Sequence, residues 1–122
     1  MKKVLTFLFL LFAFNVNAME KETTFKKELF DKAQSEGKVV VVSSWIKYCT
    51  SCASQMKVLN KAKNDFKNIE YFSFDVTNKD IANFFNVQYQ TTLLIFKDNK
   101  EVYRSLGETS KALIYKALES SI

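Results

Sequence analysis

The spacing of apolar residues alternates along the chain between the helical and the strand period, which predicts one α/β domain. Helical spacing predicts helices over residues 24–36, 49–66, 79–85 and 111–119. Short apolar or alternating runs predict strands over residues 38–45, 69–75, 92–97 and 101–105. The predicted order is α-β-α-β-α-β-β-α, with a hairpin across Asp98, Asn99 and Lys100. The first strand is apolar on both faces, so we expect it to be central and covered on each side.

The longer predicted helices each carry an apolar stripe that we expect to face the sheet. In chain order these stripes are Phe25, Leu29, Phe30 and Ala33, then Met56, Leu59, Ala62 and Phe66, and finally Leu113, Ile114, Ala117 and Leu118. Asp75, at the end of the second predicted strand, is expected to begin a turn rather than to act as a proton acceptor. The sequence has no internal repeat and no low-complexity segment.

The N-terminal residues have the pattern of a secretory signal peptide. Lys2 and Lys3 form a short basic region, residues 4–14 are apolar except for Thr6, and residues 15–18 end in the small residue Ala18. This pattern predicts a signal peptide over residues 1–18, cleaved after Ala18, and a periplasmic or otherwise exported domain over residues 19–122. The apolar run is shorter than the roughly 20 residues of a membrane span, and an uncleaved signal anchor is the alternative.

Size and charge narrow the class of protein. Removing 18 of 122 residues leaves a chain of ordinary single-domain length. Lys2 and Lys3 account for two of the five net positive charges, so the mature chain carries a formal charge of +3. Its lysines are interspersed with acids and form no basic stripe with interleaved aromatic residues, which argues against nucleic-acid binding.

The two cysteines of the chain, Cys49 and Cys52, follow the valine run 39–42 with Cys-x-x-Cys spacing. At the start of a helix, unpaired N–H groups and the helix dipole favour a thiolate at Cys49. Cys52 then lies on the same side of the first turn and can resolve a mixed disulfide. The pattern predicts a thiol–disulfide exchange site, with a structural disulfide, part of a zinc site or two buried thiols as alternatives. A four-ligand zinc site would need further Cys or His residues, and the chain has no third Cys and no His.

Segment 39–52, with its valine run, Trp45 and the two cysteines, resembles the central strand and active-site loop of the thioredoxin family. Segment 86–96 resembles the part of the family that carries a cis-proline and the next strand, and Gly107 lies where the family keeps a glycine. The resemblance spans nearly the whole mature domain. It implies a thioredoxin-like α/β fold with a central mixed β-sheet flanked by helices. Segment 74–77 also resembles the C-terminal domain of the periplasmic disulfide reductase DsbD.

The sequence departs from the family pattern around the cysteines. Tyr48 replaces the usual Trp before the first Cys, and its ring can still shield the disulfide. Ser43 stands where many thioredoxins carry a buried acid, so the resemblance offers no carboxylate there to take a proton from the resolving thiol. Thr50 and Ser51, between the cysteines, carry no charge, but their hydroxyls can donate a hydrogen bond to the Cys49 sulfur.

Thr91 stands at the cis-proline position of the family. A cis bond before a non-proline residue costs roughly 3–4 kcal/mol, so we expect the Gln90–Thr91 peptide to be trans unless the fold forces it otherwise. In the family, the backbone beside that proline pairs with the substrate like a short added strand. The resemblance therefore implies that Gln90 and Thr91, together with Tyr48, bind substrate. Trp45 is expected either to bind substrate with them or to pack under the active-site loop. Thr91 is interpreted either as sequence drift or as part of a more open site that admits a metal ion or a different partner.

Together these features predict an exported thiol–disulfide oxidoreductase that acts on protein disulfides and reduces them rather than forming them. Cys49 is the expected nucleophile, Cys52 resolves the mixed disulfide, and the oxidised protein carries a Cys49–Cys52 disulfide. The expected partners are a protein disulfide and a membrane or soluble thiol donor, with no cofactor, no bound metal and a monomeric state. Two alternatives are a Cu(I)- or Zn(II)-binding module, with Met56 as a soft third ligand for Cu(I), and a non-catalytic adaptor.

Overall fold

The structure, a computed structural model, describes residues 23–122 as four helices and four strands. In chain order they are α1 (Lys27–Ser35), β1 (Val39–Trp45), α2 (Thr50–Asp65), β2 (Ile69–Asp75), α3 (Lys79–Phe85), β3 (Thr92–Lys97), β4 (Lys100–Leu106) and α4 (Lys111–Ser121). The predicted number, type and order of elements are confirmed. The predicted signal peptide and its cleavage after Ala18 lie outside the described residues.

The four strands form one mixed sheet in the order β2-β1-β3-β4. β1 pairs in parallel with β2, from Val39 opposite Ile69 to Trp45 opposite Asp75. β1 pairs antiparallel with β3, and β3 pairs antiparallel with β4 across the hairpin. The predicted central position of β1 is therefore confirmed.

Each face of the sheet has its own hydrophobic core. Val40 and Val42 of β1 face a core rich in phenylalanine, to which α1 and α3 contribute Phe30, Ala33, Ala82 and Phe85. Val39 and Val41 face a mainly aliphatic core, to which α2 and α4 contribute Leu59, Ala62, Ile114, Ala117 and Leu118. The even and odd positions of β1 serve opposite cores because successive side chains of a strand point to opposite faces.

The first helix begins at Lys27, three residues later than predicted. Residues before it are extended, because the N–H groups of Thr24 and Phe25 both donate to the carbonyl of Ser73 in β2, at 2.8 and 3.2 Å. Thr24 Oγ1 in turn accepts from the Ser73 N–H at 2.9 Å. Pairing with a strand therefore prevails over local helical spacing at the start of this helix. Within the helix, Leu29 was expected to be buried but is 47% exposed.

The hairpin turn is shorter than predicted, because β4 begins at Lys100. Asp98 and Asn99 have φ angles of 52° and 63° and make the reversal as a two-residue turn. Asn and Asp tolerate this left-handed conformation better than most residues, which suits the twist of a tight hairpin.

Two further expectations concern single side chains. Leu113 was expected in the buried stripe of the last helix but is about half exposed, whereas Ile114, Ala117 and Leu118 are buried. Asp75 begins a turn as predicted, because its Oδ1 accepts from both the N–H and the hydroxyl of Thr77, at 2.9 and 2.8 Å. Within residues 23–122, no helix has the length and apolar character to cross a membrane.

Phe85 is the centre of the aromatic core, and its replacement tests the importance of that core. Its ring centroid lies 4.9 to 5.8 Å from those of five other phenylalanines: Phe25, Phe30, Phe74, Phe84 and Phe96. We expect Phe85→Ala to lower the free energy of unfolding by about 3–5 kcal/mol, because it leaves a cavity among these rings. The neighbouring Phe84 is half exposed, so Phe84→Ala is a matched control that should cost less than half as much. Urea denaturation measures both, and equal losses would contradict this account.

Candidate active site

The cysteine pair lies at the junction between β1 and α2. β1 ends at Trp45, and α2 begins at Thr50 with Cys49 as its N-cap. The cap explains why the helix begins one residue later than predicted, since an N-cap residue has extended rather than helical backbone angles. Cys49 and Cys52 form a disulfide, with their Cα atoms 5.3 Å apart.

The two sulfurs differ in exposure and in partners. Cys52 is completely buried, whereas Cys49 is only partly buried. The Cys49 Sγ accepts a hydrogen bond from the Cys52 N–H at 3.1 Å and lies 3.4 Å from the Ser51 hydroxyl. The Ser51 contact confirms the expectation that a hydroxyl between the cysteines reaches this sulfur, and the capping N–H places Cys49 at the positive end of the helix dipole.

The loop before Cys49 presents an aromatic ring to solvent. Tyr48 has a φ of 66° and is 88% exposed. The Lys47 Nζ lies 5.3 Å from the centre of its ring. The ring is thus available at the surface beside the disulfide, where the sequence predicts a substrate contact.

The Gln90–Thr91 peptide is cis, so the expectation of a trans bond was wrong. Hydrogen bonds hold this segment on several sides. The Thr91 carbonyl accepts from the Gly107 N–H at 2.8 Å, and the Thr92 N–H donates to the Ser44 Oγ at 2.8 Å. The fold therefore fixes this segment through contacts that local sequence does not reveal.

The Thr91 side chain points into the protein, where it meets Gln55. Both residues are almost completely buried. The Thr91 Oγ1 lies 2.8 Å from the Gln55 Oε1 and 2.8 Å from the Ser44 carbonyl. The Gln55 Nε2 donates to the carbonyl of Glu108 at 2.7 Å. We call Ser44, Gln55 and Thr91 the buried polar cluster; it connects α2 to the ends of β1 and β4 and to the start of β3.

The sequence analysis did not identify Gln55 as a site residue. One signal was present, because Gln55 falls three residues after Cys52 and four before Leu59 and so lies on the inward face of α2. The four residues predicted to bind substrate have different exposures. Tyr48 and Gln90 are exposed, Trp45 is partly buried and Thr91 is buried.

Known proteins resemble this chain in sequence and in fold. The sequence model of the family described as Thioredoxin matches residues 16–120. The chain belongs to the thioredoxin family. It is 28% identical over 90 residues to thioredoxin H-type of Fagopyrum esculentum, covering 73% of this chain and 78% of the relative. It is also 29% identical over 85 residues to thioredoxin-1 of Saccharomyces cerevisiae, covering 69% and 82% of the two chains.

Solved structures agree with this membership. The crystal structure of Trxlp from Edwardsiella tarda is 26% identical, has a TM-score of 0.71, and the match covers 75% of this chain and 92% of that one. Thioredoxin NaTrxh from Nicotiana alata is 26% identical with a TM-score of 0.70, covering 78% and 83%. As a thioredoxin-family protein with a Cys-x-x-Cys disulfide, the chain is a thiol–disulfide oxidoreductase. Its resemblance to DsbD stays a prediction.

This thioredoxin-family protein has a hydroxyl pair where many of its relatives carry a buried acid. The Ser43 Oγ and the Tyr71 hydroxyl lie 2.8 Å apart on the face of the sheet that packs against α2. Burial raises the pKa of Tyr71 to about 12, although hydrogen bonds with Ser43 and Ser73 lower it in part. The pair is therefore neutral at physiological pH.

Met56, the residue considered as a third ligand for Cu(I), lies one helical turn after Cys52. Met56 is buried on the inward side of α2, in keeping with a core residue. Within residues 23–122, no group of three or more His, Cys, Asp or Glu side chains is arranged to hold a metal ion.

The difference in burial predicts a difference in reactivity. In the reduced protein at neutral pH, we expect iodoacetamide to modify Cys49 well before Cys52, because Cys49 is reachable and lies at the helix N-terminus. Mass spectrometry after brief treatment identifies the modified residue. The same treatment in a denaturant is the control and should label both thiols. Equal labelling in the folded protein would contradict the assigned roles.

Proposed function

We propose that this thioredoxin-family enzyme is exported and reduces disulfides in proteins. The observation that carries the proposal is the asymmetry of the cysteine pair. Cys49 is partly exposed at a helix N-terminus, and Cys52 is completely buried one turn further. Such a pair has one sulfur that a protein disulfide can reach and one that can act only after the first bond has formed.

The reaction proceeds in two exchanges. The Cys49 thiolate attacks one sulfur of the substrate disulfide, so that a mixed disulfide forms and the other substrate sulfur leaves as a thiolate, which takes a proton from solvent. Cys52 then loses its proton and attacks the Cys49 sulfur, which releases the second substrate thiol. The substrate gains two electrons, and the enzyme ends with the Cys49–Cys52 disulfide.

The residues between the cysteines favour the reducing direction. A strongly oxidising pair has a reduced form that is stabilised, for example by a cationic histidine beside the thiolate. Here the intervening residues are Thr50 and Ser51, and the chain contains no histidine. The Cys49 thiolate therefore relies on the helix N-terminus and on hydrogen bonds from uncharged groups, such as the Cys52 N–H.

Exposed aromatic and apolar side chains suit an extended peptide. Tyr48, Tyr89 and Leu106 are all more than half exposed. Tyr48 precedes Cys49, the Tyr89 carbonyl accepts from Ser44 of β1, and Leu106 lies opposite Thr92 at the end of β4. A cavity of about 320 Å³ runs between segment 86–92 and the end of β4, with Tyr89, Thr92 and Leu106 in its wall. Apolar and aromatic contacts of this kind suit a protein substrate better than a small hydrophilic disulfide.

The enzyme also requires a source of electrons. Each turnover leaves Cys49 and Cys52 oxidised, so an external thiol must reduce them before the next cycle. In an oxidising compartment that donor is a membrane protein or a soluble thiol that draws on electrons from elsewhere. The pattern of residues 1–18 supports placing the enzyme in such a compartment.

Single-cysteine variants test the two roles. We expect Cys52→Ala to accumulate a mixed disulfide with protein substrates, because nothing then resolves the first bond, whereas Cys49→Ala should accumulate none. Wild-type protein should accelerate the reduction of insulin by dithiothreitol, and both variants should lose that acceleration. Non-reducing electrophoresis and insulin turbidity provide the two measurements. Mixed disulfides through Cys52 would reverse the assignment, and an inactive wild type would reject the proposed activity.

Export makes a separate prediction. Protein recovered from the exported fraction of expressing cells should begin at Met19, because cleavage follows Ala18. Intact-mass spectrometry measures this directly, and Ala18→Arg, which puts a large charged residue at the cleavage position, should retain the longer chain. Full-length wild-type protein in the membrane fraction would instead indicate an anchored enzyme.

A further inference from the structure

We infer that Gln55 is a positioning residue that holds the substrate-binding loops against the redox helix. The inference rests on the proposed function, because it concerns how that same site binds a protein disulfide. Gln55 lies on α2 three residues after Cys52 and is completely buried. An amide in such a position costs free energy unless both its polar groups find partners.

Both polar groups of Gln55 lie within hydrogen-bond distance of segments that are distant in sequence. Its Nε2 donates to the Glu108 carbonyl, 53 residues away in sequence, and its Oε1 faces the Thr91 hydroxyl, 36 residues away. The carbonyl partner fixes the orientation of the amide, because a carbonyl oxygen can only accept. One side chain therefore joins the redox helix to the loop after β4 and to the segment before β3.

Thr91 connects Gln55 to the end of β1. Its hydroxyl has one proton and lies 2.8 Å from two acceptors, the Gln55 Oε1 and the Ser44 carbonyl, so it donates to one of them at a time. The neighbouring Ser44 Oγ donates to the Tyr89 carbonyl at 2.9 Å and accepts from the Thr92 N–H at 2.8 Å. The buried polar cluster thus fixes the backbone on both sides of Gln90, an exposed residue predicted to contact substrate.

A backbone hydrogen bond also joins the segment before β3 directly to the loop after β4. The Gly107 N–H donates to the Thr91 carbonyl at 2.8 Å, next to the Glu108 carbonyl that Gln55 holds. Segments 89–92 and 106–108 are therefore held to each other and, through Gln55, to the helix that carries both cysteines. These segments carry Tyr89 and Leu106 at the surface, so their position relative to the disulfide determines how a bound peptide meets Cys49.

The hydrogen bonds of Gln55 run to Glu108 and Thr91 rather than to the reacting sulfurs, so its removal should affect two kinds of substrate differently. Removing the amide should weaken the binding of an extended peptide, which depends on the loops. It should leave exchange with a small disulfide intact, because that reaction needs only an accessible Cys49. Such a difference distinguishes loop positioning from a general loss of stability or from a change in thiol chemistry.

The experiment compares Gln55→Leu with Gln34→Leu. Gln34 is the matched control because it is also a buried glutamine. Its Oε1 has no hydrogen-bond partner, and it lies near the C-terminal end of α1, outside the buried polar cluster. With insulin as protein substrate, we expect Gln55→Leu to raise KM about 5- to 10-fold, the effect of losing one or two buried hydrogen bonds. We expect kcat, and the rate with 2-hydroxyethyl disulfide, to stay within about 2-fold of wild type.

Thr91→Val provides a second route to the same bond. It removes the hydroxyl with little change in shape, and we expect its KM for insulin to rise as well. If the two side chains act as a pair, the double variant Gln55→Leu/Thr91→Val should show no more than the larger of the two single effects. Additive effects, an unchanged KM, or an equal loss with insulin and with 2-hydroxyethyl disulfide would overturn the inference.

Hydrogen exchange tests the same inference without catalysis. We expect Gln55→Leu to speed amide exchange at Gly107 and Thr92 at least about 10-fold, because both N–H groups donate within the held segments. Gln34→Leu should leave both amides at the wild-type rate. If wild-type protein failed to reduce insulin, the proposed function would fall, whereas these exchange rates would still decide whether Gln55 holds the loops. Unchanged exchange at both amides would overturn the inference.

Discussion

The burial of β1 on both faces is the constraint on which the rest of the structure depends. Its four valines divide between two cores, and its hydrogen bonds run to β2 on one side and to β3 on the other. A strand held in this way has little freedom at its end, so the chain leaves Trp45 in a fixed direction and reaches the N-cap of α2 within four residues. The position of Cys49 is therefore set by the centre of the sheet rather than by the loop that carries it.

The change from apolar to polar residues along β1 separates the core from the site. After the four valines, Ser43 and Ser44 are still almost completely buried, and both need hydrogen-bond partners. Ser43 finds the Tyr71 hydroxyl on one face of the sheet, and Ser44 finds the Tyr89 carbonyl and the Thr92 N–H near the other. These two serines place polar contacts directly beneath the active-site loop, where a continued valine run would have offered none.

The elements of the fold were predictable because their signals are local. Valine runs, helical apolar stripes and the Cys-x-x-Cys motif each lie within a few residues, and their order was sufficient to indicate the architecture. The errors occur where distant partners decide. Helix α1 starts late because Thr24 and Phe25 bond to Ser73 on β2. Gln55 was overlooked because its partners are 36 and 53 residues away, and no spacing rule connects them.

The same reasoning changes how the departure at Thr91 is understood. Taken alone, a polar residue at that position is a single unexplained substitution. In the structure, the Thr91 hydroxyl and the Gln55 amide are buried side by side, and Gln55 would lose its Oε1 partner if residue 91 were apolar. An orphaned buried acceptor costs about 1–3 kcal/mol, a large part of the stability of a small domain. The two polar residues therefore depend on each other, because the hydroxyl of residue 91 is the hydrogen-bond partner of the buried Gln55 Oε1.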